Sequence, residues 1–329
     1  MKLKRVGLLL LVLSLPLIFI TCSKDENSEQ NDHGRILFSS TAKNSNQPQI
    51  YRMNDDGSDQ VRITNGHGYF QSAQWSWDKN LIAIFSAGGS SDQLAKDLRM
   101  IYLADNNGIF QDSIAGAGFY DDGRFVWIGH SMQICYPYTL AGLLVGYFIS
   151  DCSEKNNQLN RLPLKIQHDS SSGDMMVFDS HPHDENRLLA KYQMKEQITV
   201  NGRSVINYYW CFGEISTQGE ILKVYFRLDN TYVVKAKYSP DGLKMAYMPD
   251  ANTITIVTFS NPDRPVDINF EKSAGYTITS LEWAPNSIDL ALSLNQGSLS
   301  GIYRYEVRDM NLKPLLVSDS ATYLLGDYR

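Results

Sequence analysis

Apolar residues are spread along this chain in two different ways. Near the start, an uncharged, apolar run from Val6 to Ile20 follows the cations Lys2, Lys4 and Arg5. From residue 35 onward the apolar residues come in short runs separated by polar, glycine-containing turns. The second pattern predicts many short β-strands joined by tight connections. The first is too short for a comfortable membrane span, which needs ~20 apolar residues, and has the layout of an export signal. Residues 1–21 are therefore expected to be a removable signal peptide. Residues 22–34, polar throughout after Cys22, are expected to form a flexible tether.

The short runs repeat. Trp75 stands eight residues before Ala83, Tyr238 eight before Ala246 and Trp283 eight before Ala291, each pair separated by a polar turn. A weaker copy runs from Trp127 to Cys135, with His130 and Ser131 in the turn. In Ser239-Pro240-Asp241-Gly242 the proline fixes φ and the glycine tolerates a positive φ, so strand, tight turn, strand is the natural reading. A second apolar run follows each copy, for example Ile101-Tyr102-Leu103 or Ile254-Thr255-Ile256-Val257, and a fourth short strand usually comes after it. Four strands recurring every ~40–55 residues predict propeller blades.

The run Ile50-Tyr51-Arg52-Met53-Asn54-Asp55-Asp56-Gly57-Ser58-Asp59, then Arg62-Ile63-Thr64-Asn65 and Trp75-Ser76, resembles the WD40-like repeat of TolB-type β-propellers. The resemblance covers most of residues 35–329; blades 1, 2, 5 and 6 match well and blades 3 and 4 are degenerate. It implies an all-β, six-bladed propeller with blades at residues 35–65, 68–115, 117–168, 172–229, 231–270 and 275–318. Blade 1 lacks an innermost strand, because Arg35–Ser39 corresponds to the second strand of a blade. The spare segment Thr322–Tyr328 is expected to supply the missing strand and close the ring.

Cys22, at the end of the apolar run and ahead of a polar tail, resembles the lipid-carrying cysteine of bacterial lipoproteins. Phe19 and Thr21 depart from the usual lipobox residues and are closer to the looser version found in Bacteroidetes. The run Lys24-Asp25-Glu26 is similar to the surface-export signal of lipoproteins of that phylum. The resemblance implies lipidation at Cys22, anchoring in the outer membrane, and either display on the cell surface or a periplasmic orientation. An ordinary signal peptide with an incidental Cys22 is the alternative.

Loss of residues 1–21 removes three positive charges, taking the formal net charge from −6 to −9 (−6 − 3). Nucleic-acid binding depends on clustered Lys and Arg, so it is not expected. Cys135, Cys152 and Cys211 remain after Cys22, and an odd number cannot pair completely. Cys135 falls where the other repeats carry alanine and is expected to behave as a small buried hydrophobe. Cys211 belongs to an aromatic strand and Cys152 to a polar turn; a Cys135–Cys152 bond stays open.

Few residues suggest chemistry. Ser180-His181-Pro182-His183-Asp184-Glu185-Asn186 combines two histidines with two carboxylates, a donor set able to hold a metal. Propeller lyases acting on pectic sugars use such a site. The segment also falls where the other blades carry Ser-Pro-Asp-Gly, so a lengthened turn is the simpler expectation. His33, His67, His130 and His168 are scattered. Asp55–Asp59 resembles half of a calcium loop, but Gly66 stands where the bidentate glutamate belongs, and a hairpin turn is expected. Nucleophile elbow, phosphate loop and Cys-x-x-Cys patterns do not occur. No catalytic residue, metal or cofactor is therefore assigned. Blade 3 carries an apolar hairpin at Tyr136–Tyr147, and blade 4 an expected inserted loop around Lys191–Val205. The leading functional expectation is a non-catalytic scaffold binding an envelope protein or glycan. The alternative is a carbohydrate-active lyase or hydrolase working at the propeller channel.

Overall fold

The computed structural model describes residues 36–41, 47–65, 68–87, 100–114, 125–140, 143–153, 162–164, 175–228, 233–270 and 275–329. Cys22 and the whole segment preceding residue 36 lie outside them, as do His33, Gly66, His67 and His168. The chain divides into Met1–His33 and Gly34–Arg329, and the second unit holds every described residue.

Six four-stranded antiparallel sheets make up this unit. Blade 1 contains β1 (Ile36–Ser40), β2 (Gln49–Met53) and β3 (Val61–Arg62). Blade 2 runs from β4 (Phe70–Trp75) to β7 (Phe110–Ile114), and blade 3 from β8 (Val126–Trp127) to β11 (Leu162–Leu164). Blade 4 comprises β12 (Met175–Ser180), β13 (Leu188–Val200), β14 (Arg203–Ile215) and β15 (Ile221–Leu228). Blade 5 starts at β16 (Lys235–Tyr238) and blade 6 at β20 (Thr277–Trp283). The C-terminal strand β24 (Tyr323–Tyr328) pairs antiparallel with β1, opposing Tyr328 to Ile36 and Tyr323 to Ser40. The all-β six-bladed propeller and its closure by the last strand are thus both observed. The first and last strands of the unit share a blade, so the ring has no open junction.

The repeat spacing has a packing reason. Trp75, Trp127, Tyr238 and Trp283 end inner strands and are buried, while Ala83, Cys135, Ala246 and Ala291 lie fully buried on the next strand. Blades pack face to face: Ala83 pairs with Gln74 and Ala246 with Lys237, so these small residues face away from their own blade's aromatic and pack with Trp127 and Trp283 of the next blade. Among the described residues the core falls into six clusters, one at each blade junction. Burying a large apolar side chain in such a junction contributes roughly 1.5–3 kcal/mol. The indoles add directional links: Trp127 Nε1 donates to the Gln74 carbonyl (3.2 Å) and Trp283 Nε1 to the Lys237 carbonyl (3.1 Å), each on the preceding blade.

The serine of each Trp-Ser or Tyr-Ser turn organises it. Ser239 Oγ donates to Asp241 Oδ1 and accepts from the Lys244 amide, while Asp241 Oδ1 also accepts from the Leu243 amide. Ser76, Asp78 and Leu81 repeat the arrangement in blade 2. The Asp55–Asp59 segment is the expected hairpin turn, with Gly57 at φ 85° and the Ser58 amide donating to Asp56 Oδ1 (2.9 Å).

Blade 4 departs from expectation. Lys191–Val205 is not an inserted loop but regular strand. Strands β13 and β14, thirteen residues each, pair along their whole length and turn at Asn201-Gly202. Both turn residues have positive φ (51° and 75°), the conformation that matches a two-residue turn to strand twist and that Asn-Gly favours. The inner strand β12 pairs only with Leu188–Tyr192 and β15 only with Trp210–Ile215, so residues 194–209 continue as a two-stranded ribbon. Ile206 and Tyr208 on this ribbon are exposed.

Candidate binding site at the channel mouth

All six inner strands run in the same direction along the central channel, so their last residues and the turns after them ring one mouth. That mouth is a cavity of about 220 Å³ lined by Trp77, Asp179, Lys237, Glu282, Asp327 and Arg329, among others. The inner-strand position just before the terminal aromatic or serine holds Asp179, Lys237, Glu282 and Asp327 in blades 4, 5, 6 and 1. These groups form a charge network between blades. Lys237 Nζ lies 3.1 Å from Glu282 Oε1 and 3.7 Å from Asp179 Oδ1, and Lys235 Nζ lies 3.2 Å from the same Glu282 oxygen. Arg329 Nε lies 3.2 Å from Asp327 Oδ2. Two of the carboxylates also bind the following blade: Asp179 Oδ2 accepts from the Tyr238 amide (2.9 Å) and Asp327 Oδ2 from the Trp75 amide (2.8 Å).

Burial alone would push the Lys237 ammonium towards deprotonation, but Asp179 and Glu282 outweigh it and hold the group above its ordinary range. Burial likewise raises the Glu282 carboxyl, against the pull of Lys237 and Lys235. A buried lysine surrounded by carboxylates from flanking blades is a fixed ion pair, and removing one partner would strand a charge.

Outside this ionic floor, the turns supply rings. Trp77 follows blade 2's inner strand, His130 follows blade 3's, and His181 and His183 follow blade 4's. The Trp77 and His130 ring centroids are 4.1 Å apart, and His183 lies 6.0 Å from Trp77 and 6.5 Å from His130. The Arg329 guanidinium sits 5.7 Å from the Trp77 ring centroid. His181 packs edge-on against Tyr238 at 5.1 Å, and its Nδ1 accepts the His183 amide at 3.2 Å. Burial, and secondly the Arg187 charge, lower the His181 pKa, which favours the neutral ring. Behind it, buried Glu214 accepts hydrogen bonds from the Tyr225 and Tyr238 hydroxyls (2.5 and 2.9 Å), joining blades 4 and 5.

His130, one of the scattered histidines, thus stands beside the His181 and His183 segment at one mouth. The segment Ser180–Asn186 is a turn, as expected: the His181 amide bonds the Arg187 carbonyl (2.9 Å) and the Arg187 guanidinium lies 3.5 Å from Asp184. Among the described residues no three His, Cys, Asp or Glu side chains are placed to hold one metal ion. Cys135, Cys152 and Cys211 are free thiols. Cys135 belongs to the junction between blades 3 and 4 and Cys152 packs at that between blades 2 and 3, so the two sulfurs serve opposite faces of blade 3.

Fold and mouth together define a six-bladed β-propeller with a charged, ring-lined channel entrance. No protein-family model and no curated protein matches the chain. Solved structures do. It is similar to TolB from Acinetobacter baumannii (TM-score 0.55, 16% identity), covering 90% of this chain and 65% of that one. The chain therefore spans about two-thirds of that protein's length. It is similar to a chain of a nidogen/laminin complex (TM-score 0.56, 8% identity; 90% of this chain, 97% of that chain). A putative TolB from Agrobacterium tumefaciens is also similar (TM-score 0.50, 10% identity; 90% and 99%). At these identities the likeness establishes the fold.

Proposed function

We propose that this protein is a non-catalytic binding scaffold of the cell envelope, lipid-anchored at Cys22, which docks a protein or glycan at the Trp77–His130–His183 mouth. The observation that carries the reading is the convergence of Trp77, His130, His183 and Arg329 from four blades on one rim. Tryptophan and arginine dominate binding energy at protein interfaces, which favours a protein over a glycan. One similar chain comes from a nidogen/laminin complex, a protein–protein assembly, which offers a parallel. The anchor rests on the signal-like run and the lipobox-like Thr21-Cys22. Residues 23–34 would then link the lipid to the propeller.

The second reading, a carbohydrate-active enzyme, is favoured by the carboxylates Asp179, Glu282 and Asp327 at the mouth. Against it, each of the three is committed to a lysine, an arginine or a backbone amide of the next blade, so none is poised for proton transfer. Affinity capture of the full-length tagged protein from cross-linked envelopes tests the scaffold. We expect a partner retained by the wild type and lost with Trp77→Ala. Capture of nothing above background, or turnover of any polysaccharide in a panel, would sink it. Palmitate labelling that survives Cys22→Ala would remove the anchor.

A further inference from the structure

The opposite end of the channel opens into a larger cavity, about 530 Å³, between the beginnings of the inner strands. It takes no part in the docking described above. Its size falls in the ~300–1,000 Å³ range of small-molecule sites. Two features set its chemistry.

The first is charge. Its lining includes Lys235 and Lys237 and, among the described residues, no carboxylate. The carboxylates Asp179, Glu282 and Asp327 line the other mouth, Lys237 lines both, and Lys235 lines this cavity alone. Lys235 Nζ is held there by the Ser280 hydroxyl (2.6 Å) and by Glu282 (3.2 Å).

The second is an unmet acceptor. Asn295 Oδ1 is buried and, among the described residues, has no hydrogen-bond partner. It lies in a side recess of about 190 Å³ whose wall shares Ser39, Thr41, Thr279 and Thr322 with the main cavity. Leaving such an oxygen without a donor costs roughly 1–3 kcal/mol, so the recess favours a group that brings a hydroxyl. Tyr69, Phe125 and Phe178 contribute apolar surface beside these polar groups.

We propose that this cavity binds a polyhydroxylated carboxylate, a sugar acid. The carboxylate would face Lys235, a hydroxyl would donate to Asn295 Oδ1, and the carbon face would rest on the aromatic wall. A neutral sugar lacks the first contact and a simple carboxylate lacks the second.

Calorimetric titration of the intact protein with glucuronate, glucose and acetate tests the assignment. Glucuronate is expected to bind at least roughly tenfold more tightly than either control. Lys235→Gln should lower glucuronate affinity by about tenfold while Lys235→Arg retains it, with melting curves confirming the fold. If Lys235→Gln does not fold, Asn295→Leu serves in its place and should weaken glucuronate and glucose together. Trp77→Ala, at the far mouth, should leave glucuronate binding unchanged, so failure here is separable from failure of the docking reading. Equal affinity for glucuronate and glucose, no heat with glucuronate, or indifference to both Lys235→Gln and Asn295→Leu would overturn the proposal.

Discussion

The backbone amide of Trp75 donates to Asp327 Oδ2 at 2.8 Å, joining residues 252 positions apart and fastening the C-terminal strand to blade 2. Asp327 is itself buried and holds Arg329. Asp327→Ala leaves the Trp75 amide without its acceptor, a cost of about 1–3 kcal/mol. For a domain this large each ~1 kcal/mol lowers Tm by roughly 2–4 °C, so a fall of several degrees is expected. Asp327→Asn, which keeps an acceptor, should fall less. Deleting residues 320–329 removes the inner strand of blade 1 together with the Leu325 and Tyr328 contacts, and should abolish the cooperative melt. An unchanged melt after the deletion would refute closure of the ring.

Gly242 and His181 form a second junction, between blades 5 and 4. Gly242 has φ +67°, and a Cβ there would stand 2.8 Å from His181 Cε1. Gly202 offers a control: its φ is +75°, and a Cβ would meet nothing within 4 Å. Gly202→Ala should cost only the left-handed backbone penalty, about 1–2 kcal/mol. Gly242→Ala should cost that and the displacement of His181. In a His181→Ala background the Gly242→Ala cost should shrink to that of Gly202→Ala. Equal costs for both alanines in the wild-type background would show that the contact is soft.

The turn carboxylates set the acid limb of stability. Burial raises the Asp241 carboxyl, but hydrogen bonds from the Ser239 hydroxyl, the Leu243 amide and the Lys244 ammonium win and hold it below its ordinary range. Asp78 is lowered in the same way by Ser76 and Asn80, and Asp289 by Arg304 and Asn286, each against a burial penalty. A carboxylate with a depressed folded pKa contributes stability that is present above its unfolded value and lost as pH falls through the folded one. Tm should therefore hold between about pH 7 and 5 and fall below about pH 4. Asp78→Asn combined with Asp241→Asn should lower Tm at neutral pH and flatten the acid fall. A double variant that keeps the full acid slope would remove these turns as its source.

The blade count was legible because a propeller repeats one local instruction: a large aromatic, eight positions, then a small residue. Trp75/Ala83 and Trp283/Ala291 carry it plainly, and Cys135 substitutes for alanine at the same place. The site was less legible, because proximity around a ring is not proximity in sequence. His130 and His183 are 53 positions apart (183 − 130), yet their ring centroids are 6.5 Å apart because each occupies the turn after an inner strand. Aligning turn with turn, rather than strand with strand, is the signal that could have found them. The same alignment one position before the strand's end brings out Asp179, Lys237, Glu282 and Asp327. The blade 4 ribbon reads as a loop in the sequence because its polar, lysine-containing stretch departs from the repeat; the Asn201-Gly202 pair is its hairpin signal. Asn295 had no signal at all, since an unmet acceptor is a property of the packed recess.

The thiols give a last prediction, on the opposite faces of blade 3. Burial pushes the Cys135 thiol well above its ordinary range. Burial first, and then the nearby Asp151 and Asp112 charges, push Cys152 up to about 12. Only the thiolate reacts quickly with aromatic disulfides, and at pH 8 a thiol titrating near 12 is ionised in roughly one molecule in ten thousand. In a Cys22→Ala variant the folded protein should therefore be almost inert to such a reagent, and denaturant should release three reactive thiols, those of Cys135, Cys152 and Cys211. Reducing agent should leave the melting temperature unchanged. A single reactive thiol after denaturation without reductant, rising to three once reductant has been applied, would instead mean that Cys135 and Cys152 are bonded across the blade.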